Sequence, residues 1–128
     1  MYCLDSTFCI DLANGVPGAI DKARELDKRK ERLAIAAPGL TEFLVGAFAQ
    51  GGKRLARALE FVSQLEVLDV TEPLVVDAAR LGGECARRGS SVGNLDLIVA
   101  AVAKHHRATI LTKDSDFSRI PGIAVETY

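Results

Sequence analysis

Tryptophan is absent from the 128 residues, and aromatic side chains make up only 5% of them. Such a chain has little material for the base-stacking platforms that many single-strand nucleic-acid binders use. Three cysteines, Cys3, Cys9 and Cys85, are odd in number and scattered, with no C-x-x-C among them. That spacing argues against a disulfide framework and against a zinc site, and the three read as buried thiols. No apolar run approaches the length of a membrane span, so no membrane association is expected. The first residues reach Asp5 at once, where a secretory signal needs a basic stretch and then an apolar core; the expected location is the cytoplasm. Formal net charge is −1, so the molecule as a whole does not attract polyanions, and any polyanion would be held by a local patch or by metal ions.

What is present suits a compact α/β protein. Hydrophobic residues are 48% and charged residues 26% of the chain, with no repeat and no long low-complexity segment. The length predicts one domain, residues 1–128, able to bury about two-thirds of its unfolded surface. Tyr2 to Asp5 reads as a short strand ending in a carboxylate, and Ser6-Thr7 opens a helix that Asn14-Gly15 breaks. Pro17 starts a second helix reaching about Arg32, and Leu33 to Ala37 is a second buried strand. Pro38-Gly39 leads into a helix carrying Leu40, Phe43, Leu44 and Ala47 on one face, with Glu42 in its opening turn, ending near Gly51-Gly52. A helix from Lys53 to Gln64 turns Leu55 and Leu59 inward, Glu66 to Val70 is a third strand, and Thr71-Glu72-Pro73 starts a helix with Gly82-Gly83 in its middle, where close packing or a bend is the expected reason.

The stretch from Gly93 to Phe117 organises the rest. Leu95, Ile98, Val99 and Val102 recur at helical spacing with Asp96 in the first turn, and Ala108 to Thr112 is a β-favouring run with Asp114 and Asp116 just beyond it. Gly122 to Glu126 reads as a last strand. Alternation of strands and helices implies a mostly parallel sheet of four to five strands with helices on both faces. In such sheets ligands bind at the carboxyl edge, where Asp5, Glu42, Asp96, Asp114 and Asp116 are all expected to fall.

Taken singly, each acid has a structural explanation: Asp5 as a helix cap, Glu42 and Asp96 as partners of a helix dipole, Asp116 as a turn residue. Gathered, they repel. Two unit charges about 4 Å apart cost roughly 4 kcal/mol at an effective dielectric near 20, which a divalent cation relieves. With carboxylates as the only candidate ligands, a hard ion such as Mg²⁺ or Mn²⁺ fits better than zinc. Lys113, between Thr112 and Asp114, has the best position among the basic residues for a phosphate.

Four motifs occur in order: Cys3-Leu4-Asp5-Ser6, Leu40-Thr41-Glu42-Phe43, Asn94-Leu95-Asp96-Leu97-Ile98-Val99-Ala100-Ala101, and Ile110-Leu111-Thr112-Lys113-Asp114-Ser115-Asp116-Phe117 followed by Ile120-Pro121-Gly122-Ile123. On these the whole chain resembles a PIN domain, and more narrowly the VapC-type toxins of prokaryotic toxin–antitoxin pairs. The resemblance implies a Rossmann-like three-layer fold and an endoribonuclease dependent on Mg²⁺ or Mn²⁺. It implies an acidic quartet of Asp5, Glu42, Asp96 and Asp114. Asp5, Asp96 and Asp114 would be direct metal ligands, Asp116 an auxiliary one, and Glu42 would act through water. Ser6 and Thr112 would orient water or phosphate through their hydroxyls. It further implies a homodimer inhibited by a VapB-type antitoxin that threads a segment along the crevice.

Two rival readings remain at this stage. A phosphatase using an aspartate nucleophile after the first strand wants a second acid two residues on, where this chain has Thr7. A PIN module that binds RNA or protein without cutting is separated by incubating protein with RNA and Mn²⁺, with and without chelator.

Overall fold

A computed structural model describes residues 1–128. The elements in chain order are β1 (Tyr2–Leu4), α1 (Ser6–Ala13), α2 (Pro17–Lys28), β2 (Leu33–Ala36), α3 (Ala37–Gln50), α4 (Gly52–Val62), β3 (Glu66–Leu68), α5 (Glu72–Arg87), α6 (Asn94–His105), β4 (Thr109–Leu111) and β5 (Val125–Glu126), with a 3-10 turn at Ser115–Arg119. The five strands form one sheet in the order β3-β2-β1-β4-β5, and every pairing is parallel.

Side chains of successive strand residues point to opposite faces, and the core divides accordingly. Cys3, Ala34, Ala36 and Ile110 pack with α5 and α6 on one face, together with Phe117. Tyr2, Leu4, Ile35 and Leu111 pack with α1 to α4 on the other. Phe8 and Phe117 are the two largest fully buried side chains, each contributing about 1.5–3 kcal/mol of burial energy. All three cysteines are buried free thiols, as the scattered spacing predicts, and burial pushes Cys3 up to about 11 and Cys9 up to about 12.

Several boundaries differ from the sequence reading. The second helix stops at Lys28, not near Arg32, because Arg29 caps it and Lys30 takes a positive φ of 52° that turns the chain toward β2. α3 begins directly after β2 at Ala37, so Glu42 lies in its second turn and not its first. In α4, Leu59 is 43% exposed and Ala58 takes the buried place. In α6 the expected stripe fails at Leu95, which is 51% exposed, whereas Leu97, Val99, Ala100, Ala101, Val102 and Ala103 are buried. The helix is enclosed on several sides in its later turns, so a single-face period does not describe it. Gly82 explains itself here: a Cβ at that position would stand 2.7 Å from Leu97 Cδ1, so the glycine admits close packing of α5 on α6.

Candidate active site

Strand order reverses at β1, whose neighbours are β2 on one side and β4 on the other. The carboxyl ends of β1 and β4 therefore flank the crevice where an open parallel sheet accepts ligands. Asp5 follows β1 at 6% exposure, and although it precedes α1 it makes no side-chain cap bond to the helix. Its Oδ2 instead accepts two hydroxyl bonds of 2.7 Å, from Thr7 and from Thr112. The carboxylate orientation is thus set by one residue of α1 and one just past β4.

Thr112 does a second task. Its Oγ1 also accepts the Asp114 N–H at 2.9 Å, and Asp114 Oδ1 accepts the Asp116 N–H at 2.9 Å, which opens the 3-10 turn. One hydroxyl, 1% exposed, therefore joins Asp5 to the loop that carries Asp114 and Asp116. Ser6, also buried, donates to Glu42 Oε2 at 2.6 Å and so steers the one exposed acid of the set. Both hydroxyls expected to face water or phosphate are engaged with protein acids. Lys113 is 45% exposed and pairs with Asp11 at 2.9 Å.

Asp96 stands in the first turn of α6, reached from Gly93 as the helix cap. Ligand oxygens of Asp96, Asp114 and Asp116 all lie within 4.8 Å of one another. Asp5 and Glu42 stand outside that tight group, yet their charges reach it. The Asp96 carboxyl is pushed up to about 6, first by burial, then by the negative charges of Asp114, Asp5, Glu42 and Asp116. Four other acids thus act on one carboxyl. The donors of the tight group are all carboxylate oxygens, with neither histidine nor cysteine among them, a set suited to a hard divalent cation. The excess negative charge that raises Asp96 is what such a cation would offset.

Sequence reasoning passed over Thr7, taken only as a helix opener, and Arg119, whose guanidinium pairs with Asp116. The i,i+3 spacing of Asp116 and Arg119 was a usable signal for that pair once the turn is helical. Asp11 and Tyr128, which meet at the side of the crevice, left no local signal.

With this geometry the comparisons converge: the chain belongs to the PIN domain family, whose profile matches residues 2–123. Within that family it is similar to proteins called VapC. A relative from Salmonella typhimurium, a tRNA(fMet)-specific endonuclease VapC, is 30% identical over 130 residues, covering 99% of this chain and 97% of the relative. Ribonuclease VapC5 of Mycobacterium tuberculosis is 34% identical over 113 residues, with 83% of each covered. Among solved structures, VapBC2 from Rickettsia felis, bound to a DNA fragment from its promoter, superposes with a TM-score of 0.82 at 27% identity, covering 99% of this chain and 98% of that one.

Proposed function

We propose that this protein is a divalent-metal-dependent endoribonuclease, the toxin of a VapBC-type toxin–antitoxin pair. The observation that carries the reading is the gathering of separate acids around Asp96, with the Asp96, Asp114 and Asp116 oxygens within 4.8 Å of one another, where burial first and the neighbouring charges second push the Asp96 carboxyl up to about 6. The similarity to VapC endonucleases across nearly the whole chain supports the same reaction class.

In this reading Asp96, Asp114 and Asp116, together with Asp5, would hold the ion, and Mg²⁺ or Mn²⁺ is the ion of choice for an all-oxygen site. When bound, such an ion supplies an activated water and neutralises charge on a phosphodiester. The chain's own part is to fix the carboxylates. Thr7 and Thr112 hold Asp5 in one rotamer, and Thr112 ties Asp114 to it. Arg119 restrains Asp116. Glu42, steered by Ser6 and open to solvent, would act through water at the rim. Lys113, half exposed and paired with Asp11, offers a cation for a substrate phosphate.

The partners follow from the same reading. VapBC complexes among the structural neighbours point to a VapB-type antitoxin for this chain. A groove of about 440 Å³ between α1, α3 and α4, lined by Ile10, Phe43, Ala47 and Phe61 with Arg54 and Arg57 at hand, offers apolar surface and positive charge for such a segment. Exposed Val75 and Val76 on α5 and Leu95 on α6 supply apolar surface for a homodimer. The two cores share one sheet, which supports one domain over residues 1–128. No helix is long and apolar enough to cross a membrane, and the proposed location is the cytoplasm.

The test is incubation of pure protein with RNA in Mn²⁺, beginning with initiator tRNA because of the Salmonella relative. Cleavage that chelator stops and Asp96→Asn lacks is the expected result. Cleavage insensitive to both would sink the reading.

A further inference from the structure

Lys113 lies next to Asp114 in the chain, but groups outside the acidic cluster hold its ammonium. Nζ is 2.9 Å from Asp11 Oδ2 on α1 and 4.8 Å from the ring centroid of Tyr128, two residues past β5. The Tyr128 phenol donates to that same Oδ2 at 2.8 Å. Its ring stands edge-to-face on buried Phe8, with centroids 4.8 Å apart at 82°. Lys113 first, and Tyr128 second, hold the Asp11 carboxyl below the usual range, so Asp11 stays charged as the anchor. Tyr128 itself lies near enough to Thr7 and Asp5 for both to act on its phenol, which puts the ring at the edge of the crevice.

A lysine ammonium on a flexible stem moves toward the strongest negative charge within reach. Here that charge is the group formed by Asp96, Asp114 and Asp116, with Asp5 close by. An unrestrained Lys113 would be drawn into it and would neutralise carboxylates needed for a divalent ion. Asp11 draws the ammonium the other way, and Asp11 is itself fixed because a rigid aromatic, packed on Phe8, donates to it. Nearly half exposed, Lys113 remains open to a ligand arriving from solvent. An ammonium already held in place loses less freedom when it meets a phosphate.

We propose that Tyr128 is a positioning residue: through Asp11 it fixes the Lys113 ammonium at the rim of the acidic crevice as a contact for an RNA phosphate. This rests on the ribonuclease reading above, but its test is separate. Fluorescence anisotropy of a labelled single-stranded RNA, with Asp96→Asn protein in chelator, reads RNA binding without metal and without cleavage. Lys113→Gln should weaken binding roughly three- to ten-fold and lower the slope of log affinity against log salt by about 0.7, one phosphate contact on a single strand. Tyr128→Phe keeps the ring on Phe8 and loses only the phenol bond to Asp11. It should weaken binding in the Lys113 background and cause no further loss in the Lys113→Gln background, the signature of two residues acting as one unit. Unchanged binding in Tyr128→Phe, or an equal loss in both backgrounds, overturns the proposal. Should Tyr128→Phe lower the urea midpoint, Asp11→Asn replaces it, with the same non-additivity expected and an additive loss as the contrary result. RNA cleavage by the unmodified chain alongside unaltered binding in Tyr128→Phe would refute this proposal alone, whereas absence of any cleavage would refute the ribonuclease reading.

Discussion

Replacing Asp96 by asparagine should remove RNA cleavage and, in the metal-free protein, raise stability. Burial first, and the neighbouring acids second, push the Asp96 carboxyl up to about 6 in the folded chain from an ordinary value of 3.8. That rise corresponds to about 3 kcal/mol of preference for the neutral form. Two full charges at 4.8 Å, the outer limit for the Asp96, Asp114 and Asp116 oxygens, repel by about 3.5 kcal/mol at an effective dielectric of 20, the same order. Asp96 is only partly buried, and solvent screening reduces the sum to about 1–2 kcal/mol. Asparagine keeps the shape and carries no charge, but it forgoes the helix-dipole attraction of an acid in the first turn of α6, about 0.5 kcal/mol. The net expected gain at pH 7 is about 1 kcal/mol. Its pH dependence is the diagnostic. Between about pH 4 and 6 the folded chain binds more protons at Asp96 than the unfolded chain does, so the contribution of this group to stability falls as pH rises and stays low above 6. The variant and its parent should therefore have similar urea midpoints near pH 3.5 and diverge by pH 7 in chelator. Adding Mn²⁺ should stabilise the parent more than the variant. A variant less stable than its parent at pH 7 without metal, or one divergent equally at pH 3.5, would refute the electrostatic account.

Other substitutions probe the supports of the site. Thr112→Val removes the hydroxyl that serves both Asp5 and the Asp114 N–H; it should cost about 1–3 kcal/mol in urea unfolding and lower cleavage, and a variant with full stability and activity would show that the brace is dispensable. Gly82→Ala places a Cβ 2.7 Å from Leu97, one residue past Asp96; overpacking of about 1–3 kcal/mol should exceed the helix-propensity gain of about 1, so the melting temperature should fall. Glu42→Gln alters an exposed acid, so unfolding should change by less than about 0.5 kcal/mol while the cleavage rate drops; an unchanged rate would remove Glu42 from the chemistry.

The sequence carried the order of the elements because each strand is short, apolar and bounded by turn or cap residues, and the acids were readable because they sit at fixed offsets from those strands. It carried less of α6. Leu95 follows the helical period yet faces solvent, since a helix enclosed on several sides has no single apolar stripe. Glu42 fell in the second turn because nothing in Leu33 to Ala37 marks where the strand ends, and the helix starts with no loop between. The Gly82-Gly83 pair in mid-helix pointed to close packing or a bend, and Leu97 against Gly82 selects close packing, a choice no local pattern makes. Asp11 and Tyr128 are 117 positions apart, and their meeting depends on β5 closing the sheet beside β4, which no local pattern encodes. The hydroxyls of Ser6 and Thr112 entered the candidate site only through the family resemblance, and their partners were not readable at all, since hydrogen bonds across 36 and 107 positions follow only from the finished fold.

The claim on which the account depends is that the acids at the ends of β1 and β4 and the start of α6 form a seat for a divalent ion. Anomalous diffraction from crystals soaked in Mn²⁺ tests it directly. The account predicts a peak among Asp96, Asp114 and Asp116, with Asp5 adjoining, that is lost in Asp96→Asn. A crevice without a peak at millimolar Mn²⁺, or one bound elsewhere on the surface and untouched by that substitution, would contradict it.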